Sequence, residues 1–414
     1  MKRTVIIGKR SFQIDLGFIG ILCLLCFVSC FSLYNAFNLV KTGTGFGYLL
    51  RQIFWYGIGF TTMYLLTSLQ NEVIYKAMKI AYKYLMYALI YLFISRILAS
   101  VIGHTLPLAP AINGAVSWFQ IPLMGSFQPS EFMKIVLICL VSDTIQKHQK
   151  KYPDPTVKQD WTLIKQILKI CLPPMILIFM QPDTGVFIII GFTIFVLLAC
   201  SGIRKEYVMA IIGVIVFAAA LFFYLYFYQQ DFLSSLFDAY RLQRIESWLN
   251  PDSYIQGSSN QLYTALLSLG SAGLTGYGLQ AKIISLPEAI PVAHTDFIFA
   301  AIGQCFGLVG TTIIVCICMV LDLYLCKIAY NTKSTKNRLI VIGVVAMLFY
   351  QQIQNLGMII GLLPITGITL PLISYGGSSI LSYFISFAII MNISPSISPS
   401  KKKTIHLKRP LRHN

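Results

Sequence analysis

Residues 207–228 read YVMAIIGVIVFAAALFFYLYFY, a run without a single charge that follows directly on Arg204, Lys205 and Glu206. Crossing about 30 Å of hydrocarbon takes roughly 20 apolar residues, so this run spans a bilayer as a helix. Similar runs recur outward in both directions, at 14–37, 52–69, 80–102, 131–146, 165–181, 184–203, 297–325, 339–363 and 368–393, making ten in all. None alternates strictly between apolar and polar residues, and unsatisfied backbone is too costly in lipid for an open sheet. The expected fold is therefore an all-α polytopic membrane protein of ten transmembrane helices, with one long extracytoplasmic loop between the seventh and eighth. Bulk composition agrees. Of 414 residues, 56% are hydrophobic and 11% charged, and the mean hydropathy of +0.72 excludes a water-soluble globule.

The basic residues orient the chain. Lys2, Arg3, Lys9 and Arg10 precede the first span, and Lys76/Lys79/Lys83, Lys147/Lys150/Lys151/Lys158, Arg204/Lys205, Lys327/Lys333/Lys336/Arg338 and Lys401/Lys402/Lys403/Lys408/Arg409/Arg412 fall on the same side. By the positive-inside bias that side is the cytoplasm, which puts both termini there. The 414 residues then read as a single integral membrane domain. It has a cytoplasmic tail over 1–13, an outer loop over 103–130, a cytoplasmic loop over 147–164, a large outer loop over 229–295 and a basic cytoplasmic tail over 394–414. The net charge of +17 is spread over membrane loops. It suits anionic membrane lipids and gives no groove for nucleic acid. The ten cysteines lie in or beside the spans and read as apolar filler; Cys23-x-x-Cys26 has no second pair to complete a metal site.

The outer loop over 229–295 is long enough to carry function. Within it, 232–248 has helical periodicity, and four glycines between Gly270 and Gly278 signal close backbone packing or a re-entrant turn. No internal repeat is visible, which counts against a transporter built from inverted halves.

Ionisable groups at membrane depth are costly and so point to function. Asp296 stands at the end of the long loop and the start of the eighth span, beside His294. It reads as a functional acid, with a helix cap as the alternative. Glu131 and Lys134 share a helical face at the outer end of the fourth span and can form a structural ion pair. Asp183, after Pro182, is either a helix N-cap or a functional group. His294 reads as an orienting or structural residue. These acids gather at the outer surface, while Asp143 and Asp322 lie near inner ends. Gly376-Gly377-Ser378-Ser379 reads as a close helix-packing site.

Five stretches occur in order: Asn113-Gly114-Ala115 with Trp118; Gln128-Pro129-Ser130-Glu131-Phe132-Met133-Lys134; Gln181-Pro182-Asp183-Thr184-Gly185; His294-Thr295-Asp296-Phe297-Ile298-Phe299-Ala300; and Leu363-Pro364-Ile365-Thr366-Gly367 running to Pro371 and Ser374-Tyr375-Gly376-Gly377-Ser378-Ser379. Together they resemble the RodA/FtsW (SEDS) family over nearly the whole chain, with the RodA-like branch favoured by Phe132-Met133-Lys134 and the short tails. The resemblance implies a peptidoglycan glycosyltransferase of the bacterial cytoplasmic membrane. Such an enzyme polymerises lipid II on the outer face for cell elongation or division, with a class B penicillin-binding protein transpeptidase as partner. It also implies that Asp296 is the essential acid, and a single inverting displacement of undecaprenyl pyrophosphate would use it as general base. Arg241, Arg244, Lys282 and Lys134 are the candidate pyrophosphate contacts, a divalent cation (Mg or Mn) the other source of countercharge. The chain departs from the family pattern at Val116, Val292 and Gln304. A lipid-linked sugar flippase and a silent scaffold for a transpeptidase are the competing readings.

Overall fold

The computed structural model describes residues 2–7, 10–36, 45–111, 115–122, 125–236, 239–250, 260–279 and 293–394. Strands β1 (Lys2–Ile7) and β2 (Arg10–Asp15) form an antiparallel hairpin that leads into α1 (Leu16–Ala36). Helices α2 (Gly45–Thr67) and α3 (Asn71–Ile102) follow, then a hairpin of β3 (Phe119–Ile121) and β4 (Gly125–Phe127). The chain continues through α4 (Pro129–Lys151), α5 (Val157–Met180), α6 (Thr184–Ala199) and α7 (Lys205–Tyr228). Three shorter helices, α8 (Gln230–Leu236), α9 (Ala239–Leu249) and α10 (Asn260–Ser271), fill the described part of the long loop. Helices α11 (Ile298–Asn331), α12 (Thr335–Ile359) and α13 (Gly377–Ile393) complete the described residues.

The architecture is that of an all-α polytopic membrane protein. Each of the ten apolar runs falls wholly or largely on a helix, and among the described residues six helices are individually long and apolar enough to cross a bilayer. Two boundaries differ from expectation for physical reasons. The third helix starts at Asn71, well before residue 80, because Lys76, Lys79 and Lys83 prolong it at no desolvation cost once it has left hydrocarbon. The last helix starts at Gly377, well after residue 368. The apolar stretch before it is buried but not helical.

Irregular backbone at that depth must find its hydrogen bonds in the protein. Ser29 Oγ and Gln52 Nε2 donate to the carbonyls of Ile373 (2.8 Å) and Ser374 (3.0 Å), and Gln354 Nε2 to that of Pro364 (3.0 Å). The Tyr56 hydroxyl donates to the Leu372 carbonyl. Side chains of α1, α2 and α12 thus hold open a non-helical turn between α12 and α13.

Helix α12 lies centrally, packed against α4, α6, α10, α11 and α13, whereas α7 touches little beyond α6 and α8. At one end of the bundle three of the basic residues expected to share a side converge on one acid: Lys147 and Lys336 reach Asp143 at 2.7 and 2.9 Å, and Lys79 lies 3.9 Å away. The N-terminal end of α4 faces the other way, into a cavity.

Candidate active site

Asp296 belongs to a tight turn over residues 293–297 that delivers the chain into α11. The turn is anchored from behind. Asn355 Nδ2 on α12 donates to the Asp296 carbonyl and to that of Ile368, both at 2.7 Å, tying the turn to the irregular segment before α13. Thr295 Oγ1 donates to Asp296 Oδ1 at 2.9 Å. Burial pushes this carboxyl above the ordinary carboxylate range, and the Thr295 bond and the charge of Arg244 offset it only partly.

His294 is held as a ring: it stacks on Tyr48 at 4.2 Å and 24°, and its carbonyl accepts from the Tyr375 amide at 2.9 Å. Burial lowers its pKa, so the imidazole is neutral at neutral pH. Its Nδ1 is buried with no partner among the described residues.

Asp183 caps α6, accepting from the Val186 amide at 3.4 Å. Its other oxygen accepts from Ser130 Oγ and Gln128 Nε2, each at 2.8 Å. Gln128 in turn accepts from Trp118 Nε1 (3.1 Å), and its amide donates to Ser378 Oγ (3.2 Å). One carboxylate therefore joins the loop before α4, the start of α6 and the start of α13. Burial raises its pKa too, against the pull of Ser130 and Gln128. The cap and the cavity wall are one residue.

Glu131 and Lys134 make a buried ion pair at 2.9 Å. Lys134 also lies over the Tyr383 ring, whose hydroxyl donates to Gln351 Oε1 at 3.1 Å. The second Glu131 oxygen is buried without a hydrogen-bond partner among the described residues.

Asp296, Asp183, Glu131, Arg244, Trp118 and Ser378 all line one cavity of about 880 Å³. That volume takes a sugar-sized polar headgroup. Lys134 lies behind its wall. His294 stands behind Tyr48 and Tyr375, which do line it. Arg241 is turned elsewhere: it stacks over Phe179 at 4.2 Å and donates to the Phe179 carbonyl. Lys282 and Val292 lie outside the described residues, as do Asn113 and Gly114. Val116 is buried in a small cluster with Leu92 and Ala109 and does not line the cavity. Gly377 abuts the Trp55 ring so closely that a Cβ would lie 2.2 Å from it, the close helix approach expected there.

The sequence reading passed over Arg51, which lines the cavity from α2 together with Tyr375. A signal was there to use. An arginine at the outer end of a span runs against the positive-inside bias, and such an exception calls for a use.

Residues 13–398 match the FtsW/RodA/SpoVE family, described as cell cycle proteins. The chain is 30% identical over 362 residues to the probable peptidoglycan glycosyltransferase FtsW of Coxiella burnetii, covering 85% of this chain and 87% of that protein. It is also 30% identical over 282 residues to the peptidoglycan glycosyltransferase MrdB of Escherichia coli, covering 68% and 71%. Its fold matches that of a chain solved in a study of polymerization and crosslinking by a peptidoglycan synthase complex. There the TM-score is 0.70 at 21% identity, over 93% of this chain and 98% of that one.

Proposed function

The chain belongs to the FtsW/RodA/SpoVE family and is a peptidoglycan glycosyltransferase, and we propose that the cavity is where it polymerises lipid II, with Asp296 as general base. The observation that carries this reading is a carboxylate of raised proton affinity on the wall of a cavity shared with two arginines.

The chemistry follows from the donor. Its anomeric carbon carries undecaprenyl pyrophosphate, already a good leaving group, so no acid is needed to protonate the departing oxygen. Asp296 takes the proton of the attacking sugar hydroxyl, whose oxygen bonds to the anomeric carbon. The bond to pyrophosphate breaks with its electron pair, and configuration inverts. A base of raised pKa holds that proton better than an ordinary carboxylate, and such catalysis typically contributes 10²–10⁴-fold. Arg244 and Arg51 meet the departing charge in a partly dehydrated site, where charge-assisted bonds are strong. Asp183 and Glu131 shape the sugar-binding wall, with Lys134 holding Glu131 in place. Among the described residues no three acidic, His or Cys side chains converge on one point. The donor set fits only a Mg or Mn ion carried chiefly by the pyrophosphate itself, with the free Glu131 oxygen as the protein's contribution. Such an ion would supply further neutralisation of phosphate charge.

The enzyme then works from the outer face of a bacterial cytoplasmic membrane, with ten crossings and both termini inside. It passes its strands to a class B penicillin-binding protein transpeptidase. The stretch Ser130–Lys134 argues for the elongation branch, and depletion that rounds cells, not one that makes filaments, is the expected phenotype. The direct test is purified protein in liposomes with lipid II, scored for glycan chains and for lipid crossing, beside Asp296→Ala. Chains that vanish in the variant are expected. Lipid crossing without chains makes the protein a flippase; neither activity, with transpeptidase binding intact, makes it a scaffold.

A further inference from the structure

Four glycines lie between Gly270 and Gly278 in the long loop, and the function just described leaves them unused. One of them, Gly276, seats the chain in a break of α11 at Gly307. Gly307, inside that helix, has φ 60° and ψ −153°, a conformation essentially restricted to glycine. In an unbroken helix the amides of Leu308 and Val309 would donate to the carbonyls of Gln304 and Cys305. Here those carbonyls accept instead from the amides of Tyr277 (3.0 Å) and Gly278 (2.9 Å), while Leu308 and Val309 donate to the carbonyls of Gly273 (3.0 Å) and Leu274 (3.1 Å). Two intrahelical bonds are thus exchanged for four bonds between segments, which satisfy the carbonyls of Gln304 and Cys305 and the amides of Leu308 and Val309.

The contact is backbone on backbone. A Cβ on Gly276 would lie 2.4 Å from the Cys305 carbonyl, and one on Gly307 would lie 2.5 Å from that of Leu274. The limb above the break, from Ile298 to Phe306, touches α10 again where Gly303 meets the end of the Leu269 side chain, which a Cβ there would displace. Asp296 stands at the outer end of this limb.

We propose that the segment 272–279, seated in the α11 break through Gly276 and Gly307, is the clamp that sets the position of the Asp296 carboxylate in the cavity. Gly276 and Gly307 are positioning residues, acting through the limb they anchor. This rests on Asp296 being the base. A misplacement of about 1 Å at a reacting group can cost on the order of 100-fold in rate, so a clamp on so short a lever is felt at the chemistry.

The test combines exchange and kinetics on the full chain. In the wild-type protein, hydrogen–deuterium exchange is expected to show 272–279 and 304–309 protected together. Free exchange of 272–279 beside a protected 304–309 overturns the clamp whatever Asp296 does. Folded Gly276→Ala and Gly307→Ala are expected to lose about 100-fold in kcat at unchanged KM, with the acid limb of the pH profile moved toward the ordinary carboxylate range as the acid meets more water. Native kcat, KM and acid limb in the folded fraction overturn positioning, because a merely structural role lowers only the amount of folded enzyme. Should neither variant fold, Gly278→Ala decides. Its φ is +93° but its Cβ position is open, so the loop is strained without a clash. It is expected to shift kcat and the acid limb the same way by less, and native values there also overturn the proposal. A wild-type rate in Asp296→Asn would sink the catalytic reading and leave the exchange result standing.

Discussion

Helices α7 and α12 are both long and apolar, yet they occupy opposite situations. No residue of α7 is buried, although it is the most apolar of the six clear spans. Two thirds of the apolar window of α12 is buried, and it is the least apolar of the six. The difference is a property of the solvent. Lipid tails are as apolar as leucine, so burying a valine against protein gains only packing. A glutamine or asparagine must be inside. Gln351, Gln352, Gln354 and Asn355 are accordingly buried on α12, and Asn355 holds the backbone of Asp296. Hydropathy locates the spans; its local failures locate the site.

The largest stability effect is expected where polar burial is most complete. Lys134→Ala leaves Glu131 as an unpaired buried charge and should cost about 3–5 kcal/mol, much of it recovered when Glu131→Gln is added. Denaturation in detergent measures both, and equal costs for the single and double variants would break the contrast with α7. Next comes packing. Leu348→Ala, in the fully buried part of α12, should cost about 2–5 kcal/mol. Asn355→Leu strips the buried Ile368 carbonyl of its donor, at roughly 1–3 kcal/mol, and lowers kcat because the half-buried carbonyl of Asp296 loses the same donor. The smallest effect belongs to α7: Ile215→Ala, on its exposed surface, should stay within about 0.5 kcal/mol with activity intact. A large loss there would mean that α7 is covered by protein and not by lipid.

The same contrast explains what could be read beforehand. The ten apolar runs revealed the helices because a span must be apolar whichever face it buries. The start of the last run was misjudged because Ile368 to Ile373 are apolar for the sake of burial, and their carbonyls are served by Ser29, Asn355 and Tyr56, residues remote in sequence. The cavity acids were visible as charges in the wrong solvent. Arg241 and Arg244 were inseparable by spacing; only the fold sends one to Phe179 and the other to the cavity. Arg51 had its signal in charge topology. The pairing of Gly276 with Gly307 had none beyond a density of glycines, since a backbone contact leaves no side-chain pattern.

Asp296 carries the central claim, and its titration tests it. Burial raises its pKa in the folded protein, so the acid costs nothing in stability below its unfolded pKa, and the cost is complete once pH has risen through the folded value. Asp296→Asn should therefore be more stable than wild type at neutral pH and not at acid pH. The decisive measurement is kcat against pH on lipid II. The wild-type profile should fall on an acid limb above the ordinary carboxylate range, and Asp296→Asn should lose that limb along with about 10²–10⁴-fold in rate. A limb within the ordinary carboxylate range, or an Asn variant that polymerises at the wild-type rate, would contradict the account.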